Sequence, residues 1–385
     1  MRTTRRHNRL AAAQVDTVSH GAWRPAAVRS APVRTAIGLV GMGVLLLTGC
    51  ASVGPNTITR DRFDYVTTIS DSWKRQMLLN LVKVRYADAP VFMDVSSVIS
   101  SYSLEGEISL GGQLAPVGRG DSFGNVGTTG RYADKPTITY QPLAGDRFAK
   151  SLMAPIPVTG VLFLIQSGYP ADLVLRVCVN AINGLENAYG GAGNPRAGSP
   201  KFRELTMAMR ESQAEGGAGF RVKPVNDKQA VVMFIRPSTE KAAVSSLRIR
   251  ELLGLNSKGR EFGVVYGPYP ENDTEIAILT RSILQVMIDL ASYVEVPAAD
   301  VAEGRVYGPQ RSAEQERLFP ALVAVRQGAK PPDDAYVAVQ YRNQWFWIDD
   351  RDPRSKHILT FVMLMFSLTE GAPSQSAPVV TVPAR

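Results

Sequence analysis

The sequence predicts an α+β fold of mixed helices and antiparallel strands, on three patterns. Apolar residues recur at three and four over residues 68–87, the period of an amphipathic helix. Over residues 104–114 apolar and polar residues alternate, the period of a half-buried strand. Residues 336–341 and 344–348 read as strands joined at Arg342-Asn343, with a helix immediately after them. Helices and strands are interspersed with no regular βαβ period, which favours α+β over α/β.

Each element has its own signal. Ile69, Trp73, Met77, Leu81 and Val84 form the stripe of the first helix, widened by Leu78, Val82 and Tyr86, and Asp88 and Pro90 end it. Residues 91–114, a Gly-rich stretch over 111–130 and residues 136–141 read as a long Gly-rich β-hairpin with a loose tip near the N-terminus of the body. Helices are expected over residues 145–153, 157–167 and 170–186, then a loop over 187–199 and a polar helix over 200–214. Strands at 219–223 and 229–236 precede a helix over 238–253 that stops at Gly254. Extended pieces at 261–267 and 274–278 lead into an apolar helix over 280–293, and 297–315 reads as a linker. Asp352 and Pro353 are placed to be N-cap and first residue of the last helix. Its segment 358–366 is apolar except for Thr360, which predicts burial on all sides.

Composition narrows the function classes. The 385 residues are 45% apolar and 20% charged, which excludes intrinsic disorder. No apolar run reaches the ~18 residues of a membrane-spanning helix. Two Cys exclude a disulfide scaffold and Cys-rich metal sites. The net charge of +8 invites a nucleic-acid reading, but its location argues against one. Residues 1–34 hold seven Arg and one acid, Asp16, followed by twelve uncharged residues, 36–47. That is a basic n-region and a short apolar h-region, the form of a secretory signal over residues 1–49. Without residues 1–49 the chain has 36 Lys+Arg against 34 Asp+Glu, so no nucleic-acid partner is expected. Arg5-Arg6 has the look of a twin-arginine signal but lies some thirty residues before the apolar run.

Leu47-Thr48-Gly49-Cys50 resembles the bacterial lipobox. The Cys50 thiol would accept a diacylglyceryl group, and small neighbours would admit the peptidase. A further acyl chain, palmitate in type, on the freed amine would give the several chains that stable anchoring needs. Ala51, where Asp would retain the protein at the inner membrane, implies the periplasmic face of the outer membrane in a Gram-negative source. Residues 50–60 then read as a polar tether, 61–370 as a single body with sub-boundaries near 187–199 and 297–315, and 371–385 as a Pro/Ala-rich tail with a short strand at 379–382.

Candidate chemical groups are few. His7 and His20 lie in the leader, so the mature chain keeps only His357, expected to be structural at a helix edge. That excludes a multi-His metal site, and no G-x-S-x-G accompanies it. Cys178, in an apolar segment, is expected to be a buried inert thiol. Asp349, Asp350 and Asp352 alternate with Arg351, Arg354 and Lys356 and read as an ion-paired turn. Trp345 and Trp347 share one strand face and Phe346 and Ile348 the other; core packing of both faces is expected, with stacking on sugar rings as the alternative. The Gly-rich segment fits no phosphate-binding loop.

Several phrases together resemble a family of uncharacterised proteobacterial lipoproteins: Arg62-Phe63-Asp64-Tyr65, Ser72-Trp73-Lys74-Arg75-Gln76-Met77-Leu78-Leu79-Asn80-Leu81, Arg85-Tyr86, Trp345-Phe346-Trp347-Ile348-Asp349-Asp350-Arg351-Asp352 and Ser355-Lys356. The resemblance implies lipoprotein status and one folded unit, and it carries no catalytic residue or cofactor other than the lipid on Cys50. The expectation is therefore a non-enzymatic outer-membrane lipoprotein, a scaffold or accessory subunit with an envelope protein partner and an open oligomeric state. The first alternative is a binder or hydrolase of envelope polysaccharide, peptidoglycan or lipopolysaccharide, using Trp345, Trp347, Asp349 and Asp350. The second is an oligomeric pore component, because residues 104–114 match the ~9–11 residues of a tilted membrane strand.

Overall fold

The computed structural model describes residues 55–99, 102–113, 123–134, 137–143, 145–191, 195–225, 228–237, 239–308 and 311–369. The signal, the lipobox with Ala51, the hairpin tip and the tail lie outside the described residues. The fold is α+β, with ten helices among mixed and antiparallel sheets in the described residues.

The chain divides into two compact units. Among the described residues, the first takes in those within 55–66 and 93–142. In it, β1 (Phe92–Ile99) pairs with β4 (Thr137–Leu143), and β2 (Tyr102–Gln113) pairs antiparallel with β3 (Phe123–Asp134). The register runs without a slip from Tyr102↔Asp134 to Gln113↔Phe123. Helix α1 (Pro55–Arg85) begins within the segment that the sequence reads as a tether.

Among the described residues, the second unit holds those within 67–92 and 143–369. The C-terminal part of α1 buries Met77, Leu78, Leu81, Val82 and Val84, whereas Ile69 and Trp73 from the same stripe are only half-buried. Asn80, 1% exposed, closes a reciprocal amide pair with Val91: its Nδ2 donates to the Val91 carbonyl at 2.8 Å and its Oδ1 accepts from the Val91 N–H at 2.9 Å. That pair satisfies a buried amide and fixes how the chain leaves the helix.

Three short helices follow, α2 (Gly145–Met153), α3 (Val158–Gln166) and α4 (Ala171–Cys178). The third is much shorter than the expected 170–186. After Cys178 the chain turns into a hairpin, β5 (Val179–Ile182) and β6 (Leu185–Glu186). Asn183 and Gly184 both have positive φ, 44° and 75°, as a two-residue primed turn requires. Helical periodicity in the apolar run concealed an Asn-Gly hairpin signal. Gly184 has a second constraint, because a Cβ there would lie 2.7 Å from the Tyr269 ring.

The main sheet has the order β6-β5-β10-β9-β8-β7. Its remaining strands are β7 (Ala218–Val225), β8 (Lys228–Ile235), β9 (Glu261–Tyr266) and β10 (Glu275–Thr280). All pairs are antiparallel except β9 with β10. Helix α5 (Pro200–Ala214) packs against both α4 and α6 (Glu240–Leu253). Gly254 ends α6 at φ 64°, the left-handed cap expected from sequence. Helix α7 (Ile283–Ala291) opens with a capping box between Ser282 and Gln285. The expected linker contains two short helices, α8 (Ala298–Ala302) and α9 (Ala313–Leu318).

The C-terminal sheet has the order β11-β13-β12. Strands β12 (Ala335–Tyr341) and β13 (Gln344–Asp349) meet at Arg342-Asn343, both with positive φ. The third strand, β11 (Arg326–Gly328), pairs with β13 and was not visible in the sequence. Val337, Val339, Phe346 and Ile348 are buried on one face, and α10 (Pro353–Thr369) buries Ile358, Leu359, Phe361, Val362, Met365 and Phe366. The all-round burial expected of α10 fails at Leu364, which is 37% exposed.

Asp352 caps α10: its Oδ1 accepts from the Ser355 N–H at 3.1 Å and its Oδ2 from the Ser355 hydroxyl at 2.5 Å. Burial, the largest single effect, would raise this carboxyl, but the Ser355 bonds together with the Arg354 N–H and charge outweigh it and hold Asp352 below its usual value. A depressed carboxyl contributes stability above its unfolded pKa, about 3.9, that is lost as pH falls through the lower folded value. Asp352→Ala should cost about 1 kcal/mol in urea denaturation at pH 7, whereas Asp352→Asn should keep most of the cap and lose its acid sensitivity.

Candidate functional site

The sequence places its candidates at the C-terminal sheet, and the structure gives each of them a structural partner. Trp345 and Trp347 are half-buried on the face opposite Phe346 and Ile348. This corrects the expectation that both faces are core: one is, and the other is partly wet. Gly328 lies under Trp347, where a Cβ would meet the ring at 3.2 Å. Asp349 Oδ1 accepts from the Arg351 N–H at 2.8 Å, Asp350 pairs with Lys356 at 2.8 Å, and Arg351 pairs with Asp334. Of the three acids of the expected ion-paired turn, only Asp350 is ion-paired within it, while Asp349 is held by a turn hydrogen bond and Asp352 by the helix cap. His357 is exposed, with its ring 5.8 Å from that of Tyr169. Among the described residues no group of His, Cys, Asp and Glu is arranged to hold a metal ion.

Cys178 is fully buried at the end of α4. Burial pushes its thiol up to about 12, against a smaller opposing effect from the Arg281 charge. A thiol held neutral and covered is a poor nucleophile.

The most unusual chemistry lies where the sequence reading did not look. Arg281 is 0% exposed, between the end of β10 and the start of α7. Its position follows from a need of α4. The last carbonyls of a helix have no partner within it. Arg281 supplies one: its Nη1 donates to the carbonyls of Arg176 and Val177, each at 3.3 Å, and its own N–H donates to the Cys178 carbonyl at 2.7 Å. A cation there also suits the negative end of the helix dipole. Asn187 adds Nδ2 bonds to the carbonyls of Arg176 at 2.8 Å and Val179 at 2.7 Å.

Each of the other guanidinium nitrogens also has an acceptor. Nε donates to Asn180 Oδ1 at 3.2 Å and Nη2 to the Ala188 carbonyl at 2.5 Å. Nη1 meets Asp289 Oδ2 at 2.9 Å, and Asp289 is itself 2% exposed on α7. The other carboxylate oxygen of Asp289 accepts from the Gly190 N–H at 2.6 Å and from Arg311 Nη2 at 3.3 Å. Arg311 lies over the Tyr293 ring at 4.1 Å and Arg281 over Tyr189 at 5.4 Å. Gly190 has no room for a side chain, since a Cβ would sit 2.0 Å from Ser292 Oγ and 2.8 Å from Arg311 Nη2. One carboxylate thus serves two guanidinium groups inside the protein.

The sequence did carry a signal for this pair. Asp289 is the one acid in the apolar helix ILQVMIDLA, and Arg281 interrupts the apolar run that leads into it. A lone charge in such a setting is rarely buried without a partner.

Comparison with protein-family models, curated proteins and solved structures finds no match. The chemistry of the site therefore rests on these residues alone.

Removing one partner of a buried ion pair strands the other charge, at about 3–5 kcal/mol. Asp289→Leu strands two guanidinium groups, while Arg281→Met leaves Asp289 with Arg311 and the Gly190 N–H. Urea denaturation should therefore show the larger loss for Asp289→Leu. Cys178 in the native protein should resist iodoacetamide at pH 8 and react only after denaturation, as followed by intact mass.

Proposed function

We propose that the chain is a lipid-anchored protein of the outer membrane, facing the periplasm, whose body acts as a scaffold or accessory subunit and not as a catalyst. The observation that carries this reading is Leu47-Thr48-Gly49-Cys50, set directly after twelve uncharged residues and a basic n-region. The resemblance at both ends of the body to proteobacterial lipoproteins points the same way. The partner it would hold is another envelope protein, reached from a membrane surface to which the lipid confines it.

The fate of the candidate reactive groups supports a binding role. Cys178 is covered, and Asp349, Asp350 and Asp352 are engaged in turn and cap contacts. The polysaccharide reading keeps one observation in its favour, the partly exposed Trp345 and Trp347 side by side on a strand face. It is tested by Trp fluorescence on titration with chitooligosaccharides: quenching lost in Trp347→Ala would establish it, and a flat titration would remove it.

For the anchor, Cys50→Ser should abolish metabolic labelling with a palmitate analogue; retained label would refute lipidation at this residue. Ala51→Asp should move the protein from outer- to inner-membrane fractions on a sucrose gradient, and an unchanged distribution would refute the sorting role.

A further inference from the structure

The buried charge centre has excess positive charge, and the excess borders a cavity. An open cavity of about 850 Å³ is lined by Arg85, Tyr293, Val296, Val301, Arg311 and Pro320, among others. That size suits a small organic molecule, and such sites combine apolar walls with a few polar groups. Four arginines border it or stand just behind its wall, with a single buried carboxylate among them. Asp289 is shared by Arg281 and Arg311. Arg85 donates to the carbonyls of Val294 at 3.4 Å and Tyr307 at 2.6 Å, and Arg176 to the carbonyl of Pro320 at 2.5 Å. Neither Arg85 nor Arg176 forms an ion pair with a carboxylate among the described residues. Burial pushes both below the usual arginine value, the mark of a guanidinium short of water.

The two acids that line the cavity make no ion pair with Arg85 or Arg311. Glu295 is engaged by Arg326 at 2.8 Å, and Glu316 is exposed to solvent. Beside the cations the lining is apolar, with Val294, Val296 and Val301 on adjacent segments. The far wall is held in place: the Tyr86 hydroxyl donates to Asp300 Oδ2 at 2.6 Å, which with the Arg85–Tyr307 bond ties the segment around α8 to the end of α1.

We propose that this cavity binds a small organic anion, a carboxylate or phosphate on an apolar body, with the charge held between Arg85 and Arg311 and the body against Val296 and Val301. An anion there would give Arg85 the carboxylate or phosphate partner that it lacks among the described residues, through charge-assisted and bidentate hydrogen bonds. The site is independent of the lipid anchor.

Isothermal titration of the purified full chain with 2-naphthoate, 2-naphthyl phosphate and the neutral 2-naphthalenemethanol tests it. One anion should bind at least ~10-fold more tightly than the alcohol, and the tighter one identifies the group. Arg85→Gln should bring that anion to the level of the alcohol, and Arg85→Lys should restore part of the difference. Val301→Trp, which fills the cavity without touching a charge, should abolish binding while circular dichroism and Tm stay near wild type. Should Arg85→Gln fail to fold, Val301→Trp decides alone. Equal binding of all three probes, no binding of either anion, or full binding in Val301→Trp would overturn the proposal.

Discussion

Arg281 and Asp289 impose a constraint that the second unit is built to satisfy. A fully buried guanidinium is tolerable only with acceptors around its nitrogens and a carboxylate at hand. Meeting that condition fixes several elements at once. The end of α4 offers its carbonyls, the loop after β6 offers Ala188 O and the Gly190 N–H, and α7 offers Asp289. The hairpin β5–β6 must turn tightly to return Asn187 beneath α4, which is why Asn183-Gly184 is there. A polar network of this kind does not guarantee stability over an apolar core, but it permits few alternative packings.

The apolar layers close around that centre. Phe92 stacks on Phe366 at 4.4 Å, and Tyr86 meets Phe346 edge-on at 6.3 Å, so both ends of the second unit's chain share one core with the C-terminal sheet. Tyr86, just past α1, meets the rings of Tyr341 on β12 and Phe346 on β13, while Asn80 holds the chain after α1 and Asp352 caps α10. The same economy of charge leaves one buried carboxylate, Asp289, shared by Arg281 and Arg311, with Arg311 lining open space.

Much of this fold was legible in the sequence where local and tertiary demands agree. Helix α5, the β7–β8 and β12–β13 hairpins and the caps at Asp352 and Gly254 follow from turn residues and periodicity close to their observed bounds. Failure came where a tertiary need overrides local pattern. The run from Leu173 to Leu185 is apolar at helical spacing, yet it leaves the helix at Cys178 because Arg281 and Asn187 take over the helix end. Strand β11 has three residues and exists only by pairing with β13. The candidate site showed the same division. The Trp345 strand announced itself by composition, while the partners that Arg281 and Asp289 take at the end of α4 and in the loop after β6 lie some hundred residues before them and meet them only in the folded chain. A single Arg and a single Asp in apolar surroundings were the sole trace.

The most direct test of this account is native-state hydrogen exchange at Gly190. Its amide lies in a loop outside any sheet and is held by Asp289 Oδ1. If the Arg281–Asp289 centre organises the unit, that amide exchanges only through global unfolding, with the protection of the β10 amides. Exchange as fast as that of the exposed loop amide at Tyr269 would show that the centre opens locally and would contradict the central role given to it.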